Sequence, residues 1–427
     1  MHIYFSGIGG SAISSFALLA RDMGYEVSGS DKQDSATLAA LRAKGITDIH
    51  IGQDEAAIAA LHTAHPIDWF VYSDAVTIEQ PDSPELRFCA EHGIQATKRA
   101  GFINHILAEK NLQLIAIAGT HGKSTTTGMA IWALQQLGEP VSYVLGAKIP
   151  FGASGHYEPG SRYFVYEADE FARHFLDLQP TLTLISGIDY DHPDIYPTRD
   201  DYNQAFRQFL AQSGHAFIWQ ADAERLGIAA SDSVTVLQPE PDTPITLPGA
   251  VNRQNGALVA QGVASLLGTE PVAVYPVINN FPGVHRRFER LANGLYSDYA
   301  HTVPKIQGAL QIAEEIAPGR VVVVYEGLHN TRQHFIKNEL PHLFDSTKAL
   351  YIVPSYLARE DPNLALLTPE DLRALLSPEN QAKTTPSALD DALLSAIKDH
   401  LAAGDVVLAL TAGGGGSLDE WLRARFL

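Results

Sequence analysis

Leu114-Ile-Ala-Ile-Ala-Gly119-Thr-His-Gly122-Lys123-Ser124-Thr-Thr-Thr127 decides how the rest of the chain is read. An apolar, partly β-branched run stops at a glycine loop, a Lys-Ser pair follows, and Met129 to Leu137 has helical spacing. Strand, loop and helix in that order are the plan of a phosphate-binding loop. Glycines let backbone N–H groups crowd a polyphosphate, and the N-terminus of the next helix favours negative charge. Lys123 is placed to reach the terminal phosphates and the Ser124 hydroxyl to hold Mg2+. The strict pattern has another glycine where Ile117 stands, so this is a shortened variant. A Gly-Lys-Ser tripeptide alone could be an ordinary turn, but its place between strand and helix points to an ATP-binding loop. Gly119, Thr120, His121, Gly122, Lys123, Ser124 and Thr125 form it.

The composition narrows the class. With 427 residues the chain has room for about three domains, and 45% apolar residues suit a well-buried globular protein. There is no apolar run of about eighteen residues or more, so no membrane insertion is expected. The sequence opens on a strand-like His2-Ile-Tyr-Phe5, and no basic or cleavable leader is expected. A single cysteine, Cys89, rules out an intrachain disulfide framework and fits a reducing compartment. The net charge of −19 argues against a general nucleic-acid surface, which needs phosphate-neutralising cations. A cytoplasmic protein is expected, with its oligomeric state unspecified.

Residues 1–108 begin with Ile3-Tyr-Phe-Ser-Gly7-Ile-Gly9-Gly10-Ser11-Ala12, a helical stretch through Met23, and Glu26-Val27-Ser-Gly-Ser30-Asp31. A strand, a glycine turn, a helix and a second strand closing on an acid start a Rossmann-like unit. Ala12 in the third glycine position is permitted, so the motif alone does not separate NAD, with Asp31 on a ribose hydroxyl, from a nucleotide-sugar. Trp69-Phe-Val-Tyr-Ser73-Asp74 reads as another strand running into a loop, with Ser73 and Asp74 placed to line the crevice. Gly7, Gly9, Gly10, Ser11, Asp31, Ser73 and Asp74 are the candidate ligand-binding set of this domain.

Residues 109–284 carry the phosphate loop on a parallel sheet of the P-loop ATPase type. Two further strands end in acids: Tyr163-Phe-Val-Tyr-Glu167-Ala-Asp169-Glu170, and Leu182-Thr-Leu-Ile-Ser-Gly187-Ile-Asp189-Tyr-Asp191-His192-Pro-Asp194. Acids after apolar strands are often only solvated loop starts. Two such strings downstream of a phosphate loop are read as Mg2+ ligands, because Mg2+ takes oxygen ligands together with phosphate. His192 could equally be structural. Asn252, at the start of another helix, could bond adenine or simply cap. Residues 285–427 repeat the strand–helix alternation of a second Rossmann-like sheet. His285-Arg286-Arg287-Phe288, Asp298-Tyr-Ala-His301, Glu326-Gly-Leu-His329-Asn-Thr-Arg332 and Gly413–Gly416 lie at its strand ends. The glycine run could be an anion nest or only a flexible loop.

Taken together these motifs resemble the Mur ligases, ATP-dependent enzymes that join an amino acid or peptide to a UDP-muramyl precursor of peptidoglycan. The similarity spans all three domains, through the Gly7–Ala12 turn, Ser73-Asp-Ala-Val76, Gly119–Ser124, Glu167–Glu170, Asp191-His192, Asn252 with Asn255, Arg286–Phe288 and Asp298–His301. Within the family the turn and the Glu-Ala-Asp-Glu string look most like the alanine-adding branch or its recycling relative, which attaches a tripeptide. The resemblance implies an α/β fold of three domains. It implies an ADP-forming ligase that joins L-alanine to the carboxylate of UDP-N-acetylmuramate through an acyl phosphate.

It further assigns Lys123 to the β- and γ-phosphates, Ser124 and Glu167 to one Mg2+, His192 to a second, and Asn252 and Asp298 to ATP. Arg286 or Arg287 would offset phosphoryl charge, while His301 and Arg332 would position the amine. The first domain would bind the UDP-sugar. No lysine occurs between Lys148 and Lys305, so the carbamylated lysine of later-acting members has no counterpart. Departures gather in the third domain: Thr302 and Val303 follow His301 where two histidines are usual before the proline, and Glu326-Gly-Leu-His329 replaces Gln-Pro-His-Arg. An amine other than L-alanine, a tripeptide, or an ATP-switched binding protein without catalysis remain as alternatives, whereas a dehydrogenase leaves the phosphate loop without a task.

Overall fold

Alternating strands and helices build three mainly parallel sheets in the computed structural model, which describes residues 1–73, 76–77, 80–192, 195–239, 244–357, 360–412 and 415–427. Asp74, Asp194, Gly413 and Gly414, all singled out above, lie outside the described residues. The first sheet contains β1 (His2–Ser6), β2 (Glu26–Asp31), β3 (Ile49–Ile51), β4 (Trp69–Tyr72) and β5 (Gln95–Lys98), in the order β3-β2-β1-β4-β5. All its pairings are parallel. β1 is buried along its whole length, as a strand covered on both faces must be. The order reverses between β1 and β4, which opens a crevice at their C-terminal ends.

The second sheet contains β6 (Gln113–Ala118), β7 (Val141–Val144), β8 (Gly155–His156), β9 (Tyr163–Glu167), β10 (Leu182–Ile185), β11 (His215–Trp219) and β12 (Val234–Leu237). Its order is β12-β11-β10-β6-β9-β7-β8, with only β8 antiparallel to its neighbour. In the third sheet, β13 (Glu289–Ala292), β14 (Leu295–Asp298), β15 (Val321–Leu328), β16 (Ala349–Tyr356), β17 (Thr384–Pro386) and β18 (Val406–Leu410) run β13-β14-β18-β15-β16-β17. Here β13, a short hairpin partner, is the antiparallel member. The α/β class expected from the alternation is the one found.

Two compact units result: Met1–Ile245 with Gln254–Pro282, and Thr246–Arg253 with Gly283–Leu427. The first unit holds two sheets because they share one apolar core, running from Ile3 and Phe5 through Phe164 and Phe206 to Val234. The helix Arg99–Lys110 belongs to that core, with Phe102 edge-on to Phe5, Phe16 and Trp69. At the seam the helix Ser11–Asp22 lies on β8 so tightly that a Cβ at Gly155 would stand 1.8 Å from the Ser15 carbonyl oxygen. The Ser15 hydroxyl donates to the Leu145 carbonyl at 3.0 Å, and His156 bridges Asp22 at 2.9 Å and Glu158 at 3.1 Å. Gly155→Ala therefore lowers stability by about 2 kcal/mol through overpacking against backbone. Gly308→Ala, on an open helix face where the nearest atom is 3.9 Å from the new Cβ, leaves stability unchanged or slightly higher. Urea unfolding of the two variants checks the contrast.

Candidate active site

β6 is the strand that leads into Gly119–Gly122, and its two neighbours are β9 and β10. Ile117 pairs with Glu167 on one side and Ala118 with Ile185 on the other. The topology therefore sets both acid strings at the mouth of the phosphate loop, one on each flank. Two glycines allow this crowding: a Cβ at Gly119 (φ 140°) would stand 2.6 Å from the Ser186 hydroxyl, and one at Gly187 (φ 150°) 2.5 Å from the His121 ring. The Thr120 N–H donates to the Gly187 carbonyl at 2.7 Å, and the Thr120 hydroxyl donates to the Asp189 carbonyl at 2.6 Å. These bonds lace the loop to the end of β10.

Lys123 opens the helix Lys123–Gln136 and folds back over the loop. Its Nζ donates to the Gly119 carbonyl at 2.6 Å and to Glu170 Oε2 at 2.6 Å, with Asp169 Oδ1 at 3.9 Å. Burial opposes the ammonium charge, but Glu170 and Asp169 outweigh it and hold the Lys123 pKa above its ordinary value, so the lysine stays a cation. Glu170 is almost completely excluded from water. Burial pushes its pKa up even against the pull of Lys123. The Tyr202 hydroxyl donates to its Oε1 at 3.3 Å, and the Tyr196 hydroxyl donates to its carbonyl at 2.5 Å. Next to Lys123, the Ser124 hydroxyl donates to Glu167 Oε1 at 2.9 Å. That pair supplies hard oxygen donors of the type Mg2+ accepts beside phosphate, although among the described residues no three His, Cys, Asp or Glu side chains converge as a metal-binding group. His192 adopts a left-handed φ of 57° and lies 3.9 Å from Glu170 Oε1, edge-on to Phe171.

Asn252 and Asn255 behave differently. The Asn252 side chain donates to the Pro248 carbonyl at 2.9 Å within the first turn of the helix Ala250–Leu267. Asn255 is 1% exposed and faces Gly122, whose Cβ position would lie 3.1 Å from its Oδ1; among the described residues its Nδ2 has no hydrogen-bond partner. A buried amide donor without a partner at the phosphate loop fits a nucleotide acceptor. The sequence pairs Asn255 with Asn252, three residues earlier on one helix face, but gives a ligand role only to Asn252. Tyr196, Tyr202 and Ser186 gave no such signal, because their role depends on which strands lie side by side.

In the first sheet the glycine turn is drawn together with the end of β2: the Gly9 N–H donates to Asp31 Oδ2 at 2.8 Å, and the Gly10 N–H to the Gly7 carbonyl at 3.0 Å. Ser73, at the end of β4, has its hydroxyl 4.0 Å from the Cβ position of Gly7. Gly10 precedes the helix Ser11–Asp22, whose N-terminus has no side-chain cap. Gly7, Gly9, Gly10, Ser11, Asp31 and Ser73 thus share one crevice.

The second unit gathers a cationic set at the C-terminal ends of β14, β15 and β18. Asp298 Oδ2 accepts the Phe288 N–H at 2.7 Å, and Arg286 donates to the Ala412 carbonyl at 3.2 Å. The guanidinium groups of Arg286 and Arg287 lie over the Tyr299 ring at 4.6 and 5.4 Å. Burial, with Lys305, Arg332 and Arg287 nearby, holds the His301 pKa well below its ordinary value, so the ring is neutral. Its Nδ1 is 2.8 Å from the Tyr299 carbonyl. A carbonyl only accepts, so Nδ1 carries the proton and Nε2 the free lone pair. Glu326, which replaces the usual glutamine, is buried and accepts the Ala412 and Leu418 N–H groups at 2.8 and 2.9 Å, clamping both ends of the glycine run. Arg286 and His329 take left-handed φ values of 59° and 56°, a local strain of about 1 kcal/mol or more each.

Two tests follow from these environments. Lys123→Met leaves Glu170 as a buried charge without its partner and costs about 3 kcal/mol of stability, whereas Lys123→Met with Glu170→Gln costs less than the single change; urea unfolding reads both. Burial pushes Asp298 up to about 6, above its unfolded value of about 3.9. Its protonated form therefore adds stability below about pH 4 that is lost as pH rises through about 6. Asp298→Asn flattens that part of the stability–pH curve, and an unaltered slope would refute the assignment.

Comparison with known proteins bears on the family and the fold. Three family models match in chain order: "Mur ligase family, catalytic domain" over residues 2–111, "Mur ligase middle domain" over 117–239, and "Mur ligase, glutamate ligase domain" over 286–413. Proteins named UDP-N-acetylmuramate–L-alanine ligase are similar along nearly the whole length. That of a Nocardioides species is 31% identical, covering 96% of this chain and 93% of the relative, and that of Methylibium petroleiphilum is 31% identical, covering 98% and 96%. Among solved structures, the UDP-N-acetylmuramate–alanine ligase of Thermotoga maritima superposes with a TM-score of 0.75 at 22% identity, covering 100% of this chain and 98% of the other. A murein peptide ligase of Psychrobacter arcticus gives 0.63 at 21% identity, covering 96% and 95%. With a phosphate loop flanked by two acid-bearing strands, three matched domains in order and relatives this similar end to end, the chain belongs to the Mur ligase family.

Proposed function

We propose that the protein uses ATP to join L-alanine to the lactyl carboxylate of UDP-N-acetylmuramate, releasing ADP and phosphate. The observation that carries the reading is the phosphate loop with Lys123 and the Ser124–Glu167 pair at its mouth, in a chain whose full-length relatives bear that ligase name. A carboxylate is a poor acylating agent because oxide leaves badly. Phosphorylation supplies a leaving group, and the amine then attacks the acyl carbon while water is kept away.

In this reading the loop from Gly119 to Thr125 cradles the triphosphate, and Lys123 exchanges Glu170 for the β- and γ-phosphates. Ser124 and Glu167 would hold one Mg2+ and His192 a second, and such ions when bound neutralise phosphate charge. Asn252 is assigned to adenine, with Asn255 as a second amide donor, and Asp298 to the nucleotide. The crevice of Gly7, Gly9, Gly10, Ser11, Asp31 and Ser73 takes the UDP-sugar, to which the resemblance adds Asp74. Arg286 and Arg287 are assigned to developing phosphoryl charge. His301, neutral with a free Nε2 lone pair, and Arg332 are assigned to the amine and its carboxylate. A cytoplasmic location goes with nucleotide substrates and a single buried cysteine.

Incubation with ATP, UDP-N-acetylmuramate and either L-alanine or the murein tripeptide, followed by mass spectrometry, tests the reading. The L-alanyl amide and stoichiometric phosphate are expected, and preference for the tripeptide would move the protein to the recycling activity. Lys123→Ala should reduce turnover by about 100-fold or more; near-normal turnover would remove the loop from the reaction.

A further inference from the structure

Arg99 carries a buried donor that no acceptor among the described residues completes. It opens the helix Arg99–Lys110 directly after β5, at the sheet edge where the strand C-termini lie. Its Nε is closed off from solvent and, among the described residues, has no hydrogen-bond partner. The N-terminus of its helix also lacks a side-chain cap. A half-buried guanidinium with an unmet donor is unfavourable unless an anion completes it.

The position of this cation is set by packing. Phe102, one turn along, is wedged among Phe5, Phe16 and Trp69. Asn104 donates to the Asp177 carbonyl at 2.9 Å, docking the helix on the segment Phe171–Asp177 that follows Glu170. Arg99 consequently exerts its charge on Asp169 and Tyr166, and Asp169 in turn lies 3.9 Å from Lys123 Nζ. Along the first sheet, β4 with Ser73 separates the Gly7 turn of β1 from the Arg99 end of β5. Two strand spacings amount to about 10 Å. Arg99 is therefore about two strand spacings from the glycine turn and within electrostatic reach of Asp169, the neighbour of Lys123.

We propose that Arg99 receives the carboxylate of the acceptor sugar and holds it on the phosphate-loop side for attack on ATP. The inference rests on the ligase reading above. In the step concerned, a carboxylate oxygen forms a bond to the γ-phosphorus, the bond to the β,γ-bridging oxygen breaks, and ADP leaves with the electron pair. No proton moves. Carboxylate and triphosphate are both anions, so their approach needs a cation, and a guanidinium offers the planar two-donor geometry that fits a carboxylate. The diphosphate of the same ligand is the other anion available. The uncapped helix after Gly10 is suited to it, which leaves Arg99 for the carboxylate.

Calorimetric titration of wild type, Arg99→Ala and Arg99→Lys with UDP-N-acetylmuramate and with UDP-N-acetylglucosamine, which has the diphosphate but no lactyl carboxylate, tests the assignment. Arg99→Ala should bind the muramate about 10- to 100-fold more weakly, bind the glucosamine like wild type, and keep its KM for ATP. Arg99→Lys, which retains the charge and guards against a folding defect in the alanine variant, should fall between them. Equal loss for both sugars would make Arg99 a diphosphate contact and overturn the proposal, as would unchanged affinity for both. Wild-type protein that forms no amide would overturn the ligase reading and this assignment with it. An active wild type matched by Arg99→Ala would sink this assignment alone.

Discussion

A lysine and a glutamate 2.6 Å apart, with the carboxylate almost wholly excluded from water, anchor the centre of the first unit. Neither charge would be tolerated there alone, because desolvation of a lone ion exceeds what scattered contacts return. Together they need a scaffold that sets a helix N-terminus against the end of a neighbouring strand. β6 leads through the loop into the helix, the chain after β9 brings Glu170, and Tyr196 and Tyr202 add hydrogen bonds to it. The rest of the sheet can be understood as what holds these two elements in register.

The same logic explains why acids gather on both sides of the loop. A parallel sheet places every strand C-terminus on one edge, and helices return the chain to the other. Since β9 and β10 are the two neighbours of β6, their C-terminal residues have to face the loop. The first sheet applies the same rule at its reversal point between β1 and β4, where Gly7, Asp31 and Ser73 come together. In the third sheet it brings Asp298, Glu326 and Ala412 to one edge, with Glu326 holding both ends of a glycine run.

Charge is distributed unevenly among these edges. Some groups are saturated within the protein, such as Glu289, which binds both His285 and Arg423. Others are left incomplete: among the described residues Asn255 Nδ2, Arg286 Nε and Arg99 Nε have no hydrogen-bond partner although all three atoms are buried. Buried polar atoms are almost always paired in folded proteins, and of these three Asn255 faces Gly122 of the phosphate loop. The backbone agrees, with His192, Arg286 and His329 in left-handed conformations at loop starts.

The chain by itself determined the α/β class, the phosphate loop at Gly119–Ser124, the acid strings and the family, because strand–loop–helix periodicity and glycine placement are local in sequence. It also marked Asn252, Asp298 and His301, through motifs whose spacing is short. Only the tertiary structure decided that Glu170 rather than Glu167 pairs with Lys123, that Asn255 faces Gly122, and that Arg99 Nε is buried without a hydrogen-bond partner among the described residues. Each of these depends on which strands are neighbours and how far a side chain is from water. Those properties arise from contacts between residues tens of positions apart, which no short-range pattern in the sequence encodes.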